Sequence, residues 1–255
     1  MPLSFGEICA ALGWGALSSA GLVVGAVVGV YSRLRHHAIA LAMSVGAGLL
    51  IAAASLELAT EAIRVAGPVP AVVSLLLGAV VLSASNAVLA RFGAANRKRC
   101  GECTPQPSEA QQPGSGLAIA LGTAIDAVPE ALVLGLTLRE RIPLELLVAI
   151  AVGNLPEALS GAAGMRLAGR RDRYILLFWG AISLGAALAT AAGYAAFAYL
   201  GQSSTPHLQA FGAGALLAMT AETMIPEAFH NSPRFSGLLA VIGFSVVLLM
   251  DAAAR

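Results

Sequence analysis

The sequence has few charged residues and few aromatic residues for its length. Of its 255 residues, 11% are Asp, Glu, Lys or Arg and 5% are aromatic, whereas 58% are hydrophobic. A soluble domain of this length needs a polar surface, so this composition excludes an ordinary soluble protein. Three cysteines are too few for a framework of disulfide bonds. Lys98 is the single lysine, and the richness in alanine and glycine is typical of a GC-rich prokaryotic source.

Long apolar stretches take the place of the missing charge. Several exceed the roughly 18 residues that a helix needs to cross a bilayer. We therefore predict an all-α polytopic membrane protein, with a single transmembrane domain over residues 1–255 in the inner membrane of a prokaryotic cell. The N-terminal stretch lacks the basic segment of a signal peptide and is expected to remain as the first helix. The eight predicted spans, numbered in chain order, are 10–31, 38–63, 70–91, 115–138, 143–166, 174–200, 208–228 and 235–253.

One long polar interval, residues 92–114, separates spans 3 and 4. It is rich in Pro, Gln and Gly, and we expect a flexible loop there. Eight spans place both termini on one side, and the basic residues are distributed unequally between the two sides. The side that carries the excess contains Arg33, Arg35, Arg91, Arg97, Lys98, Arg99, Arg166, Arg170, Arg171, Arg173 and Arg234. This excess predicts that the loop is cytoplasmic and that both termini lie outside.

Acidic residues occur inside the apolar spans. The five that lie well inside are Glu57, Asp126, Glu130, Glu157 and Glu222, and Glu61 and Glu227 lie nearer to span ends. Each acid at mid-helix costs about 2.5–3.5 kcal/mol on an insertion scale. No Lys, Arg or His lies in the middle of a span. The charge must therefore be met by water, protonation or a bound cation, and the cluster favours a hydrated path for a cation.

Spans 4 and 5 contain related motifs at equivalent depth. Span 4 has "DAVPEAL" at 126–132 and span 5 has "GNLPEAL" at 153–159. Pro129 and Pro156 cannot donate backbone hydrogen bonds, so each bends its helix and frees a carbonyl one turn before a glutamate. Backbone groups freed at this depth must face protein or water. A plainer interpretation, in which each motif is a kink beside a protonated acid, also fits one copy taken alone.

Spans 2 and 7 form a second matched pair, with "ELATEA" at 57–62 and "ETMIPEA" at 222–228. Matched pairs in opposed helices indicate an inverted repeat, and such repeats place transport sites near the middle of the membrane. Spacing puts Asp126 and Glu130 on one face of span 4, and Gly153 and Glu157 on one face of span 5.

These stretches resemble helices 4 and 5 of the ZIP (Zrt/Irt-like) family of divalent-metal transporters, whose motif is His-Asn-x-Pro-Glu-Gly or a close variant. "SVGAGLLIAAASLELATEA" and "GAGALLAMTAETMIPEA" are similar to helices 2 and 7 of that family. The resemblance implies eight helices in a 3+2+3 bundle with an inverted repeat, a secondary transporter rather than an enzyme, and a divalent metal (zinc, iron or manganese) as substrate, with no cofactor required.

The metal centre of that family maps onto this sequence in part. Asp126 stands at the first His position of helix 4 and Ala127 at the following Asn position, and Glu130 is the motif glutamate. On helix 5, Gly153 stands at the His or Gln position, followed by Asn154 and Glu157. The helix 6 acid of the second metal site has Ile182 or Ser183 as its nearest match. The resemblance thus implies one site, made of Asp126, Glu130, Asn154 and Glu157. Its oxygen ligands suit manganese, magnesium or ferrous iron better than zinc.

We expect the cation to enter near Glu57 and Glu61 and to leave past Glu222, Glu227 and His230. The Gly21, Gly25 and Gly29 ladder of span 1 is compatible with helix packing, with a homodimer seam or with a sliding contact. Cys100 and Cys103, in "CGEC", are candidates for a regulatory metal or redox pair, although two reduced cysteines in a loop explain them as well. The expected partners are the metal cation and the lipid bilayer, without nucleic acid.

Two other function classes fit some of these features. An intramembrane enzyme would use the paired acids, but no nucleophile or protease motif accompanies them. A transport-inactive relative, acting as a metal sensor or membrane partner protein, fits the missing ligands and the cysteine pair. Metal-dependent stabilisation distinguishes the transporter and the metal sensor from the enzyme. Metal flux then distinguishes the transporter from the sensor.

Overall fold

A computed structural model describes residues 4–32, 36–94, 111, 115–200, 204–231 and 234–254, which are helical apart from short turns and contain no β-strand. Eight of its helical segments are long and apolar enough to cross a membrane, as predicted. We label them α1 to α8. They comprise α1, Phe5–Tyr31; α2, His36–Ala52 continued by Ala53–Ala59 and Thr60–Ala66; α3, Pro68–Leu89 continued by Ala90–Ala94; α4, Ser115–Leu138; α5, Leu144–Leu167; α6, Asp172–Leu200; α7, Thr205–Met219 continued by Thr220–Met224 and Ile225–Asn231; and α8, Ser236–Ala254.

The ends of two helices differ from the predicted spans for local reasons. Helix α1 begins at Phe5 because Ser4 and Glu7 form a capping box, in which the Glu7 N–H donates to Ser4 Oγ and the Ser4 N–H donates to Glu7 Oε2. Helix α3 continues through a π-helical turn to Ala94, so it includes the first three residues of the predicted loop at 92–114. Most of that loop, residues 95–110 and 112–114, lies outside the described residues.

Helices α2 and α7 each contain a π-helical segment in mid-span, Ala53–Ala59 and Thr220–Met224. The Thr60 N–H donates to the carbonyl of Ser55, and the Ile225 N–H donates to that of Thr220. Both segments follow a Gly-Ala-Gly sequence, residues 46–48 and 212–214, and each contains one of the acids of the predicted path. Such π-helical turns occur frequently at functional sites.

The helices pack in a pattern that repeats between the two ends of the chain. Helix α1 packs on α5 and α6, and α6 packs on α4; helix α3 packs on α7, and α2 packs on α8. Smaller contacts join α2 to α5 and α4 to α7. Exchanging α1, α2 and α3 with α6, α7 and α8, and α4 with α5, reproduces these pairs.

Glycines make the closest of these contacts. A Cβ atom on Gly21 or Gly25 of α1 would overlap the carbonyl oxygen of Ala151 or Leu155 on α5. A Cβ on Gly193 of α6 would overlap the carbonyl oxygen of Leu132 on α4 in the same way. The glycine ladder of α1 is therefore a helix-packing surface within the chain, as small residues commonly are in membrane proteins.

Candidate cation pathway

The acids of α4 lie in the interior of the bundle. Asp126 and Glu130 are each 2% exposed, on an uninterrupted helix that contains Pro129. They lie one turn apart and therefore share a face, as the spacing predicts. Helix α4 packs chiefly against α6, with smaller contacts to α3 and α7.

Helix α5 holds its candidate ligands against two other helices. Glu157 is 2% exposed and Asn154 is 4% exposed. Asn154 Nδ2 donates to the carbonyl oxygen of Ser18 on α1, at 3.2 Å. Gly153 lies against α2, since a Cβ there would stand 3.1 Å from Leu50 Cδ1. The position at which the resemblance has a His or Gln is thus a tight contact between α5 and α2.

The structure buries these ligands, but it does not assemble them into a metal site. Among the residues that the structure describes, no group of three or more His, Cys, Asp or Glu side chains is arranged to hold a metal ion. Helices α4 and α5 touch each other only slightly, because α5 packs chiefly on α1 and α2 while α4 packs on α6 and α7. A shared site of Asp126, Glu130, Asn154 and Glu157 therefore stays a prediction.

At the end of the bundle where α2 and α8 finish, a cavity of about 730 Å³ opens, which we call the vestibule. Its charged lining includes both acids of the predicted entrance. The charged residues are Glu57, Glu61, Arg64, Glu140, Arg141 and Asp251. By the predicted sidedness the vestibule faces the outside, and its four carboxylates exceed its two guanidinium groups, which favours cations over anions.

Glu57 has a counter-charge that the sequence did not predict. Its carboxylate accepts a hydrogen bond from Arg141, which belongs to the connection between α4 and α5. A second nitrogen of Arg141 lies 3.4 Å from Glu145 Oε2, in the first turn of α5. We expected no basic partner because no span has a basic residue at its middle. The expectation was wrong for Glu57, since Arg141 reaches it from a loop far away in sequence.

Glu61 and Glu140 have different surroundings within the vestibule. Glu61 pairs with Arg64 one turn later, with a distance of 2.8 Å from Arg64 Nε to Glu61 Oε2. Desolvation of Glu140 and the negative charge of Glu61 raise the pKa of Glu140 above that of an ordinary glutamate. Arg64, Arg141 and a hydrogen bond from Gln209 oppose this rise in pKa.

Toward the other end of the bundle, Glu222 is bonded to α3. Its carboxylate accepts hydrogen bonds from Ser83 Oγ and from Asn86 Nδ2, the latter at 2.9 Å. Ser83 and Asn86 are not among the predicted site residues, although the run "SASN" at 83–86 is an uncommonly polar stretch for a membrane span. Glu227 is buried at 1% exposure, and His230 is exposed at the end of α7.

Helix α6 contributes a hydroxyl group where the resemblance has an acid. Ser183 Oγ donates to Ser19 Oγ on α1 at 2.9 Å, so this position links two helices. The predicted pair of Cys100 and Cys103 lies outside the described residues.

Comparison with known proteins identifies the family. A family model described as ZIP Zinc transporter matches residues 94–251, which is more than half of the chain and contains both Pro-Glu motifs. No curated protein matches the chain. ZIP proteins transport divalent metal cations and are not enzymes, and the eight long apolar helices are those of a membrane protein. The chain therefore belongs to the ZIP family of metal transporters.

Proposed function

We propose that this protein is a permease that carries a divalent metal ion between α4 and α5, using Asp126, Glu130 and Glu157 as ligands. The observation that carries the proposal is the burial of these three carboxylates, each 2% exposed, on two helices with internal prolines. Buried carboxylates are costly in a membrane and are usually part of an ion path. Asn154 supplies a fourth oxygen, Oδ1, since its Nδ2 is engaged with Ser18.

Two further features support a path through the bundle. The vestibule lies at one end of it, and the cluster of Glu222, Ser83 and Asn86 lies toward the other. The exchange that reproduces the packing pairs relates α1 to α6, which are five spans apart and therefore run in opposite directions. We infer a 3+2+3 bundle with an inverted repeat, in which α4 and α5 exchange with each other and hold the substrate between the repeats.

The ligand types set the proposed substrate preference. Zinc prefers nitrogen and sulfur ligands, whereas carboxylate and amide oxygens suit manganese and magnesium, with ferrous iron intermediate. Asp126 and Gly153 stand where nitrogen or amide ligands stand in the family motif. We therefore propose manganese or ferrous iron as the substrate, in preference to zinc.

Uptake into proteoliposomes tests the permease. Manganese, ferrous iron, magnesium and zinc are compared for the wild type and for Glu130→Gln and Glu157→Gln, which keep the side-chain shape but remove the charge. We expect both variants to insert normally and to lose manganese uptake. Asp172→Asn is the matched control, because Asp172 lies half-exposed at the start of α6, and it should transport normally. Unchanged flux in Glu130→Gln would exclude the α4 motif from transport, and strong zinc selectivity in the wild type would contradict the substrate assignment.

A further inference from the structure

Arg141 lines the vestibule and contacts two nearly buried carboxylates. Its side chain is 51% exposed, whereas the side chains of Glu57 and Glu145 are 8% and 3% exposed. Arg141 bonds Glu57 on α2 and lies beside Glu145 on α5. Glu57 also lines the vestibule, and the guanidinium group of Arg141 is the more exposed member of this ion pair.

The second ion pair of the vestibule offers a contrast. Arg64 and Glu61 lie three residues apart on α2, and their side chains are 72% and 35% exposed. An exposed pair on one helix contributes little to stability, and it moves with that helix as one unit. The Arg141 pair instead ties α2 to the connection between α4 and α5, the two helices that carry the proposed ligands. Any movement of those helices against α2 must break it.

We propose that Arg141 is a tethered cation that closes the entrance of the pathway and competes with the entering metal ion for Glu57 and Glu145. The inference rests on the proposed transport function. Arginine stays protonated at every relevant pH, so the guanidinium has to be displaced rather than deprotonated. Entry of the metal ion and release of the α2 connection are then one event.

Charge explains why this competition favours divalent ions. When both carboxylates carry their charge, one guanidinium leaves a net charge of −1, whereas a divalent cation leaves the pair neutral. A monovalent ion carries the same charge as the guanidinium group and has no electrostatic advantage over it. The guanidinium group in addition forms directed hydrogen bonds. Glu61, Glu140 and Asp251 also face the cavity and concentrate cations in it, and Arg64 opposes them. Arg141 thus sets both the apparent affinity of the entrance and its preference for doubly charged ions.

The test compares Arg141→Gln with Arg64→Gln, which removes the same charge from the same cavity. Manganese uptake is measured against manganese concentration, and the stabilisation of the detergent-solubilised protein against heat is measured over the same range. We expect Arg141→Gln to lower both the KM and the midpoint of stabilisation by roughly three- to tenfold, the scale of one competing ion pair. Arg64→Gln should change each less than twofold, and Arg141→Lys should stay near the wild type. Sodium should inhibit Arg141→Gln more strongly than the wild type.

Two outcomes would overturn the proposal that Arg141 closes the entrance, a role that we call the gate. Equal effects of the two substitutions would show that only the total charge of the cavity matters, and an unchanged KM and midpoint in Arg141→Gln would show that no competition exists. If Arg141→Gln does not fold, Arg141→Met takes its place, since it keeps an unbranched side chain and removes the charge. The same fall in the KM and in the midpoint of stabilisation is expected, and unchanged values contradict the proposal.

The two readouts also separate this inference from the transport function. If manganese is transported and Arg141→Gln behaves like Arg64→Gln, the permease is supported and the gate is contradicted. If the wild type transports no manganese but Arg141→Gln shifts the midpoint of stabilisation, the permease is contradicted, and the competition between Arg141 and the metal ion is supported. Absence of both flux and stabilisation removes both.

Discussion

Individual carboxylates in this bundle have different surroundings. Glu57 has a guanidinium partner and Glu222 accepts two hydrogen bonds from α3, whereas Asp126, Glu130 and Glu157 lie at 2% exposure in the proposed binding region. A fixed positive charge favours the ionised form of an acid, whereas burial and neighbouring acids favour its neutral form. The role of an acid in this bundle therefore depends on its partners as well as on its residue type.

The identity of residue 126 should control the choice of metal. Asp126→His introduces a nitrogen ligand at the position where the family motif has histidine, and nitrogen favours zinc over manganese. We expect the ratio of zinc to manganese uptake to rise about tenfold or more, corresponding to a difference of roughly 1.4 kcal/mol in binding. Asp126→Asn is the control, since it keeps oxygen and removes charge, and it should lower uptake of both ions together. A ratio that is the same in both variants would contradict a ligand role for this residue.

Glu140 should make a contribution to stability that depends on pH. Its pKa is raised in the folded protein, so the folded state holds this proton more tightly than the unfolded state does. Between the ordinary pKa of a glutamate and the raised value, stability therefore falls as pH increases. Glu140→Gln removes this loss, and we expect a higher melting temperature than the wild type at pH 8 and an equal one at pH 4. A variant that is less stable at pH 8 would show that the ionised carboxylate is favourable instead.

At the scale of elements, helix existence and helix packing depend on different information. Apolar length is sufficient to identify a span, and all eight predicted spans are present. The π-helical segments of α2 and α7 leave no comparable signal, because a single extra residue in a turn hardly alters an apolar pattern. Their effect is considerable, since an extra residue turns all following side chains of the helix around its axis relative to those before it.

The glycine ladder of α1 gives a prediction for helix packing. Gly25→Ala places a methyl group against the backbone carbonyl of Leu155, which cannot rotate away. We expect a loss of stability of about 1–3 kcal/mol, the usual cost of overpacking, seen as a lower melting temperature in detergent. Gly180→Ala on α6 is the matched control, because a Cβ there would have no described atom from outside its own helical turn within 4 Å, and alanine should raise stability by up to about 1 kcal/mol through helix propensity. Equal effects at the two positions would mean that the ladder is not a packing surface.

For the whole molecule, the orientation across the membrane is predicted from the distribution of charge. Eleven of the 15 basic residues fall on the side of the 92–114 loop. We expect epitope tags at both termini to be accessible to antibody on intact cells, and a tag within 92–114 to be accessible only after permeabilisation. The opposite labelling would reverse the direction assigned to the vestibule. It would leave the pairing of helices unaffected.

The sequence by itself determined the helical class, the eight spans, the acids within them and the two Pro-Glu motifs, because each of these is a local property of composition or spacing. The tertiary structure alone decided that Arg141 is the partner of Glu57. Glu57 and Arg141 are 84 positions apart, and no helical period links them; only the packing of α2 beside α5 brings the connection before α5 to Glu57. The same holds for Gly153 against Leu50 and for Asn154 against Ser18, because a contact between two helices depends on how both are rotated, and apolar sequences of this kind permit many rotations.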